Sequence, residues 1–322
     1  MIAGSASAAS PQRPKVDTDA MNEAMVSAES DGPSASSSAY AHYLRAMEAS
    51  FDGDARTAVN ELRLSLVTDD SNPFLLTALA EQHVRLSESA RAERELSRAL
   101  ALHPGYAPAH RLLGRLLYET RKPGGAQGAL RRAIALDPAH PDPYLLLAQM
   151  SLERGRPNEA VRQVQALARA LPDDALGFKR LGMVFAERGD RRRAETMLRA
   201  ALGRDPGDGE SWTILAQVLE AQGRHSECEE ALGRALERDP DNRELLLSAG
   251  RAALRIKAKV RARAYFDRLL LLADETEWTV KVALSYLAAR DLSGGAEVLD
   301  ASRARKRGEP RVAFYAGLVH ER

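Results

Sequence analysis

Along most of this chain, apolar residues return at three- and four-residue intervals, the spacing that lines one face of a helix. The bursts come in pairs, and five of the pairs are closed by a proline. Pro104, Pro138, Pro172, Pro206 and Pro240 stand 34 residues apart each time, with no insertion. Counting each proline as position 32 of a unit places unit starts at Ala39, Pro73, Ala107, Pro141, Ala175, Gly209, Arg243 and Glu277. That makes eight units, ending at Pro310. A period held this long marks a repeat architecture rather than a run of unrelated helices.

The remaining positions fall into register. Position 8 is small in the first seven units: Ala46, Ala80, Gly114, Ala148, Gly182, Ala216 and Gly250. Position 20 is alanine from Ala58 to Ala296, except Cys228 in the sixth unit. Position 24 carries Leu62, Leu96, Leu130, Val164, Leu198, Leu232 and Phe266. Positions 4, 7, 8 and 11 share a face of one helix, and positions 20, 24 and 27 share a face of a second. Small residues at 8 and 20 let the two backbones approach closely. Gly53, Gly155, Gly189 and Gly223 at position 15 supply a turn, where positive φ is often required. The proline at 32 lacks an amide donor and ends the second helix. Helix pairs are predicted throughout, because the β-branched and aromatic runs that strands need are missing.

In its period and in the residues at positions 4, 8, 15, 20, 24, 27 and 32, the chain resembles the tetratricopeptide-repeat family over about 272 of its 322 residues. The resemblance implies an all-α fold, a right-handed superhelical solenoid of antiparallel helix pairs with a concave groove lined mainly by the first helices. It also implies a scaffold or adaptor for protein–protein interaction, with no catalysis of its own. Departures gather at the ends, as repeat arrays lead one to expect. The first unit has His42 and Arg45 at positions meant to be buried, the seventh has Asp274 in place of proline, and the eighth has Leu284 at position 8 and Asp300 at position 24. Residues 311–322 read as one further amphipathic helix, with Phe314, Leu318 and Val319 available to cover the last pair. It is either a capping helix or the start of a truncated ninth repeat, and strict register puts Leu318, not Gly317, at position 8. Residues 1–38, rich in Ser, Ala and Pro, are predicted to be disordered. Within them Asp19–Glu29 has the spacing of a short helix exposing Met21, Met25 and Val26, a tethered segment able to dock in the groove.

Composition narrows the function by exclusion. The 46 basic and 45 acidic residues leave a net charge of +1, which gives no drive toward nucleic acid or an anionic membrane. The single cysteine, Cys228, excludes an intramolecular disulfide and fits a reducing compartment. No apolar stretch approaches the roughly 18 to 20 residues a membrane span needs. Met1–Lys15 lacks an apolar core of the kind an export signal carries, so a cytoplasmic location is expected. It becomes periplasmic, or that of a lipoprotein, if the true start lies upstream of Met1.

Candidate chemistry is sparse. The seven histidines form no metal-ligand spacing with each other or with Cys228, and no metal or cofactor is expected. His83 and His110 take ordinary first-helix positions, while His103 and His140 fall in loops between repeats. Cys228 occupies an alanine position, as a small buried thiol does. The stretch KPGGAQG at Lys122–Gly128 lacks the GK[ST] ending and preceding strand of a phosphate loop, and Pro123 suits a first helical position. The basic clusters Arg191–Arg193 and Arg303–Arg307 suit a solvent-facing helix start and a helix C-terminus.

The resemblance implies concave residues at positions 2, 5, 6, 9, 12 and 13 of each repeat. The family's carboxylate clamp needs a set of lysine, asparagine and arginine residues that no three consecutive repeats here supply. Position 6 runs Leu44, Ala78, Leu112, Leu146, Arg180, Ile214, Ser248 and Val282, which excludes an asparagine ladder as well. What the groove positions offer is Arg111 and Arg115, then Leu145, Gln149 and Leu152, then Lys179 and Arg180. This set suits a protein or peptide with acidic residues flanking an apolar anchor, unless Glu81, Glu187 and Glu220 simply offset the cations. Tyr40, Tyr43, Phe51 and Phe74 form a second, aromatic patch. Two other readings remain: a cell-envelope assembly factor for a pilus or the outer membrane, which needs an export signal, and the repeat portion of a larger glycosyltransferase-type enzyme, which needs a further catalytic domain.

Overall fold

The computed structural model describes residues 37–272, 276–305 and 310–320. Among them are seventeen helices and no strand. The chain divides into two compact units, meeting between Pro143 and Tyr144. The first contains α1 (Ser37–Phe51), α2 (Ala55–Thr68), α3 (Pro73–Arg85), α4 (Ser89–Leu102), α5 (Ala107–Glu119) and α6 (Pro123–Leu136). Helix α7 (Pro141–Glu153) spans the division. The second unit continues with α8 (Pro157–Ala170), α9 (Leu176–Glu187), α10 (Arg191–Leu202), α11 (Gly209–Ala221), α12 (His225–Arg238) and α13 (Arg243–Arg255). It ends with α14 (Lys259–Leu272), α15 (Thr276–Ala288), α16 (Leu292–Arg305) and α17 (Pro310–His320).

Each pair is built as the sequence pattern requires. Side-chain caps start several helices: Asn72 Oδ1 accepts from Phe74 N at 2.9 Å, Asp54 from Thr57 N at 3.1 Å and Asn242 from Leu245 N at 3.1 Å. Such caps stabilise a helix by about 1 kcal/mol each. Pro73, Pro123 and Pro157 open their helices, where the missing amide costs nothing. The alanines at position 20 and the residues at 24 are fully or almost fully buried between the two helices of a pair in the first seven units. His110 and Trp212, both at position 4, each bond to the carbonyl of the preceding loop proline, at 2.9 Å to Pro104 and 2.8 Å to Pro206. At the amino-terminal end His42 is half-buried and pairs with Glu61 at 2.7 Å, while Arg45 is exposed. Helix α1 begins at Ser37, inside the stretch predicted to be disordered. The expected helix at Asp19–Glu29 lies outside the described residues.

The turns fix the register, and they correct it at the carboxyl end. Gly53, Gly155, Gly189 and Gly223 take positive φ, and so do Ser87, Arg121 and Lys257, all at position 15. In the eighth unit the positive φ falls on Arg290, not Asp291, so this unit starts at Thr276 and not Glu277. Ala283 then holds the small buried site expected of Leu284, and Leu299 the site expected of Asp300, while Leu284 and Asp300 themselves are exposed. Gly295 replaces Ala296 at position 20. The seventh unit is therefore one residue short before Thr276, and Asp274 lies outside the described residues. Counted onward, Pro310 takes position 1, as Pro73 and Pro141 do, and Gly317 takes position 8. Helix α17 thus has first-helix register. Val312 and Ala316 pack on Ala283 and Leu299, whereas Phe314, expected to cover the last pair, is exposed. The side chains of Leu318 and Val319 lie outside the described residues.

Candidate interaction surface

In the first unit the predicted cations differ in availability. Arg111, on α5, is half-buried and its Nη1 meets Asp137 Oδ2 at 3.1 Å. One turn on, Arg115 is exposed and has no ion pair among the described residues. The aromatic patch is split. Tyr43 is not on the surface: it is buried in the core with its ring edge-on to Phe74, centroids 5.1 Å apart. Burial pushes its hydroxyl up from the ordinary tyrosine range, helped by Tyr40 and Glu81. Phe74 is itself half-buried. Tyr40 and Phe51 are exposed, and so are Leu44 and Met47 between them on α1, which the aromatic reading passed over. Their signal was present, since all four stand at positions 2, 6, 9 and 13.

In the second unit Leu152 is a correction. It is buried in the core, packed with the cluster that includes Val164, Phe178 and Leu181, because position 12 flanks the next first helix. Its carbonyl accepts from Arg188 Nη1 at 2.9 Å. Leu145 is half-buried and Gln149 exposed. Lys179 is held inside the protein's own charge network, with Nζ 3.0 Å from Asp208 and 2.6 Å from Glu210. Partial burial pushes the Lys179 ammonium down, but the two carboxylates outweigh it and raise it above the usual lysine value. Asp208, which also accepts from Ser211 Oγ at 2.6 Å, is held below its usual value by these donors in spite of burial. Arg180 is exposed, with no ion pair among the described residues.

Between α9 and α11 a cavity of about 540 Å³ opens along the paired first helices. Met183, Ala186, Ile214 and Val218 make its apolar wall, and Glu187, Glu210 and Gln217 stand among its polar lining. Arg180 precedes Met183 by three residues, so both lie on one face of α9. Met183 stands at position 9 and Ile214 at position 6, both groove positions, so the repeat register alone points to them.

Two tetratricopeptide-repeat family models match the chain, one over residues 117–179 and 185–246, the other over residues 77–124 and 228–276. The chain belongs to the tetratricopeptide-repeat family. Its fold is accordingly an all-α tetratricopeptide-repeat array, and protein binding is what such scaffolds serve. No curated protein matches it. Among solved structures it is similar to the C-terminal part of a TPR repeat-containing protein from Cytophaga hutchinsonii, at 15% identity over 73% of this chain and 97% of that one, with a TM-score of 0.51. It is also similar to MamA, at 22% identity over 50% of this chain and 94% of that one, with a TM-score of 0.43. Pseudomonas aeruginosa PilF is 18% identical over 65% of this chain and 95% of that one, with a TM-score of 0.43. These likenesses concern the tetratricopeptide-repeat fold alone.

Other sequence candidates take structural places in this tetratricopeptide-repeat array. Cys228 is buried at position 20, and burial, with Glu220 nearby, pushes its thiol up to about 11. Pro123 opens α6, so KPGGAQG is a helix start. In the Arg191–Arg193 cluster, Arg193 pairs with Asp190 and with Asn158 Oδ1 at 2.9 Å. Lys306 and Arg307 of the second basic cluster lie outside the described residues. Among the described residues no group of His, Cys, Asp and Glu is placed to hold a metal, and no helix is long and apolar enough to cross a membrane.

Proposed function

We propose that the chain is a scaffold that holds a segment of a partner protein in the cleft between α9 and α11. The observation that carries this reading is the cavity itself. Met183 and Ile214 offer a place to desolvate an apolar anchor, and Arg180, exposed about one turn before Met183 and outside the cavity lining, offers a charge-assisted hydrogen bond to a carboxylate beside it. Lys179 is not the recognising cation in this reading, since Asp208 and Glu210 already neutralise it.

Peptides selected from a random library on the full chain test this directly. The expected consensus is one large apolar residue with an acidic residue nearby. Met183→Asp and Arg180→Glu should each weaken the selected peptides about tenfold or more, equivalent to about 1.4 kcal/mol. Unchanged affinity in both variants, with the far-UV helical signal intact, would remove the cleft from recognition.

A further inference from the structure

The exposed side of α1 is unlike that of the helices that follow it. Tyr40, Leu44, Met47 and Phe51 recur at i, i+4, i+7 and i+11, and are 41%, 41%, 38% and 51% exposed. At about 100° per residue they share a single narrow stripe. Positions 9 and 13 are Met47 and Phe51 here, but Glu81 and Arg85 on α3, and Arg115 and Glu119 on α5. The next two first helices thus do not continue the apolar stripe, and a contiguous apolar surface of this kind marks a contact site.

We propose that residues 19–29 of the same chain cover this stripe. The segment reads DAMNEAMVSAE, and Met21, Ala24, Met25 and Ala28 recur at i, i+3, i+4 and i+7, a second apolar stripe at helical spacing. As a helix its eleven residues extend about 16 Å, which matches the rise from Tyr40 to Phe51 along α1. Only residues 30–36 separate it from α1, and they include Gly32–Pro33, which favours chain reversal. An antiparallel return along α1 needs no longer a tether. It sets Met25 opposite Leu44, and Asp19 opposite the Ser50 end. There Arg85 is fixed by the Ser50 carbonyl at 3.0 Å. Residues 16–36 carry five acidic and no basic residues, so Arg85 meets an opposite charge, and Glu48 faces Met21 rather than an acid. So short a connection puts the segment at an effective concentration in the millimolar range, enough for a contact too weak to form between separate molecules.

A photo-crosslinking amino acid placed at Met47 in the full chain tests the contact, because Met47 is exposed and its replacement should leave the helical far-UV signal unchanged. Expected are intrachain products mapping to residues 19–29, with a yield independent of protein concentration. The yield should fall at least fivefold in the Met21→Asp, Met25→Asp variant. Interchain products that grow with concentration would assign the stripe to a second copy and overturn the proposal. So would products scattered over residues 1–36 and indifferent to the two substitutions, or no product at all. The Met183→Asp variant serves as a separator: the intrachain crosslink should survive it, so the cleft and the α1 contact stand or fall independently.

Discussion

Gly182 lies where α9 meets α10, and a Cβ built on it would come within 2.8 Å of Leu198 Cγ and 3.2 Å of Leu198 N. Gly114 faces Leu130 in the same way, and Gly250 faces the ring of Phe266. Position 8 is therefore small because a position 24 side chain fills the space. Gly317 holds the same repeat position on α17, yet an added Cβ there meets nothing within 4 Å. Two chemically identical substitutions should accordingly move stability in opposite directions. Gly182→Ala combines an overpacking cost of about 1 to 3 kcal/mol with a helix-propensity gain of at most about 1 kcal/mol, and should lower the urea midpoint. Gly317→Ala keeps the gain without the clash and should raise it or leave it unchanged. A rise of equal size in both variants would show that close approach does not select glycine at position 8. Leu152 and Tyr43 carry a related lesson. A position number in a repeat names a face, but burial depends on which neighbour packs there, and one sequence without its neighbours does not say.

Between α10 and α12 the second helices are tied by charge. Glu195 receives Arg224 at 2.6 Å and Arg199 at 3.0 Å, and Glu227 receives the same two arginines at 2.6 and 2.7 Å. Partial burial pushes the Glu195 carboxyl up, but its bonds to Arg224, Arg199 and Gln222 outweigh that and hold it below the ordinary glutamate value. Glu227 is lowered mainly by its bond to Arg224. A carboxylate depressed in the folded state contributes stability that is complete above its unfolded value of about 4.3 and disappears as pH falls through the lower folded value. Exposed pairs are each worth about 0.2 to 1 kcal/mol, so Glu195→Gln should lower the urea midpoint modestly at pH 7. The gap from wild type should close toward pH 3, and a gap that persisted there would mean that packing, not charge, links these helices. At this scale most of the architecture was legible, because loop prolines 34 residues apart set the register for five of the pairs. Where Asp274 stands in place of that marker, the register is lost. Leu284 and Asp300 looked like atypical packing, when a single missing residue accounts for both. The pairing of Lys179 with Asp208, and of Arg111 with Asp137, escaped because each partner lies in the loop that closes the repeat, 29 and 26 residues further on.

Within each unit, extensive contacts run only between helices one or two apart in the chain. Stability in such an array is approximately a sum of repeat terms and nearest-neighbour terms, so damage should stay local. Phe266 is suited to test this. Its ring is buried at position 24 of the seventh repeat, lies against Gly250, and meets Tyr286 of the eighth edge-on at 5.2 Å. Phe266→Ala therefore weakens one intra-repeat and one inter-repeat contact together, at a cost of about 3 to 5 kcal/mol. Native-state hydrogen exchange should show protection falling sharply in α13 to α16, less in α11 and α12, and not at all in α1 to α4. The cleft between α9 and α11 should then keep its peptide affinity, because the helices that wall it lie at the edge of the affected stretch. A uniform loss of protection from α1 to α16 would mean that the array unfolds as one cooperative body. In that case a partner bound at the fifth and sixth repeats would stabilise every repeat equally, rather than its neighbours first.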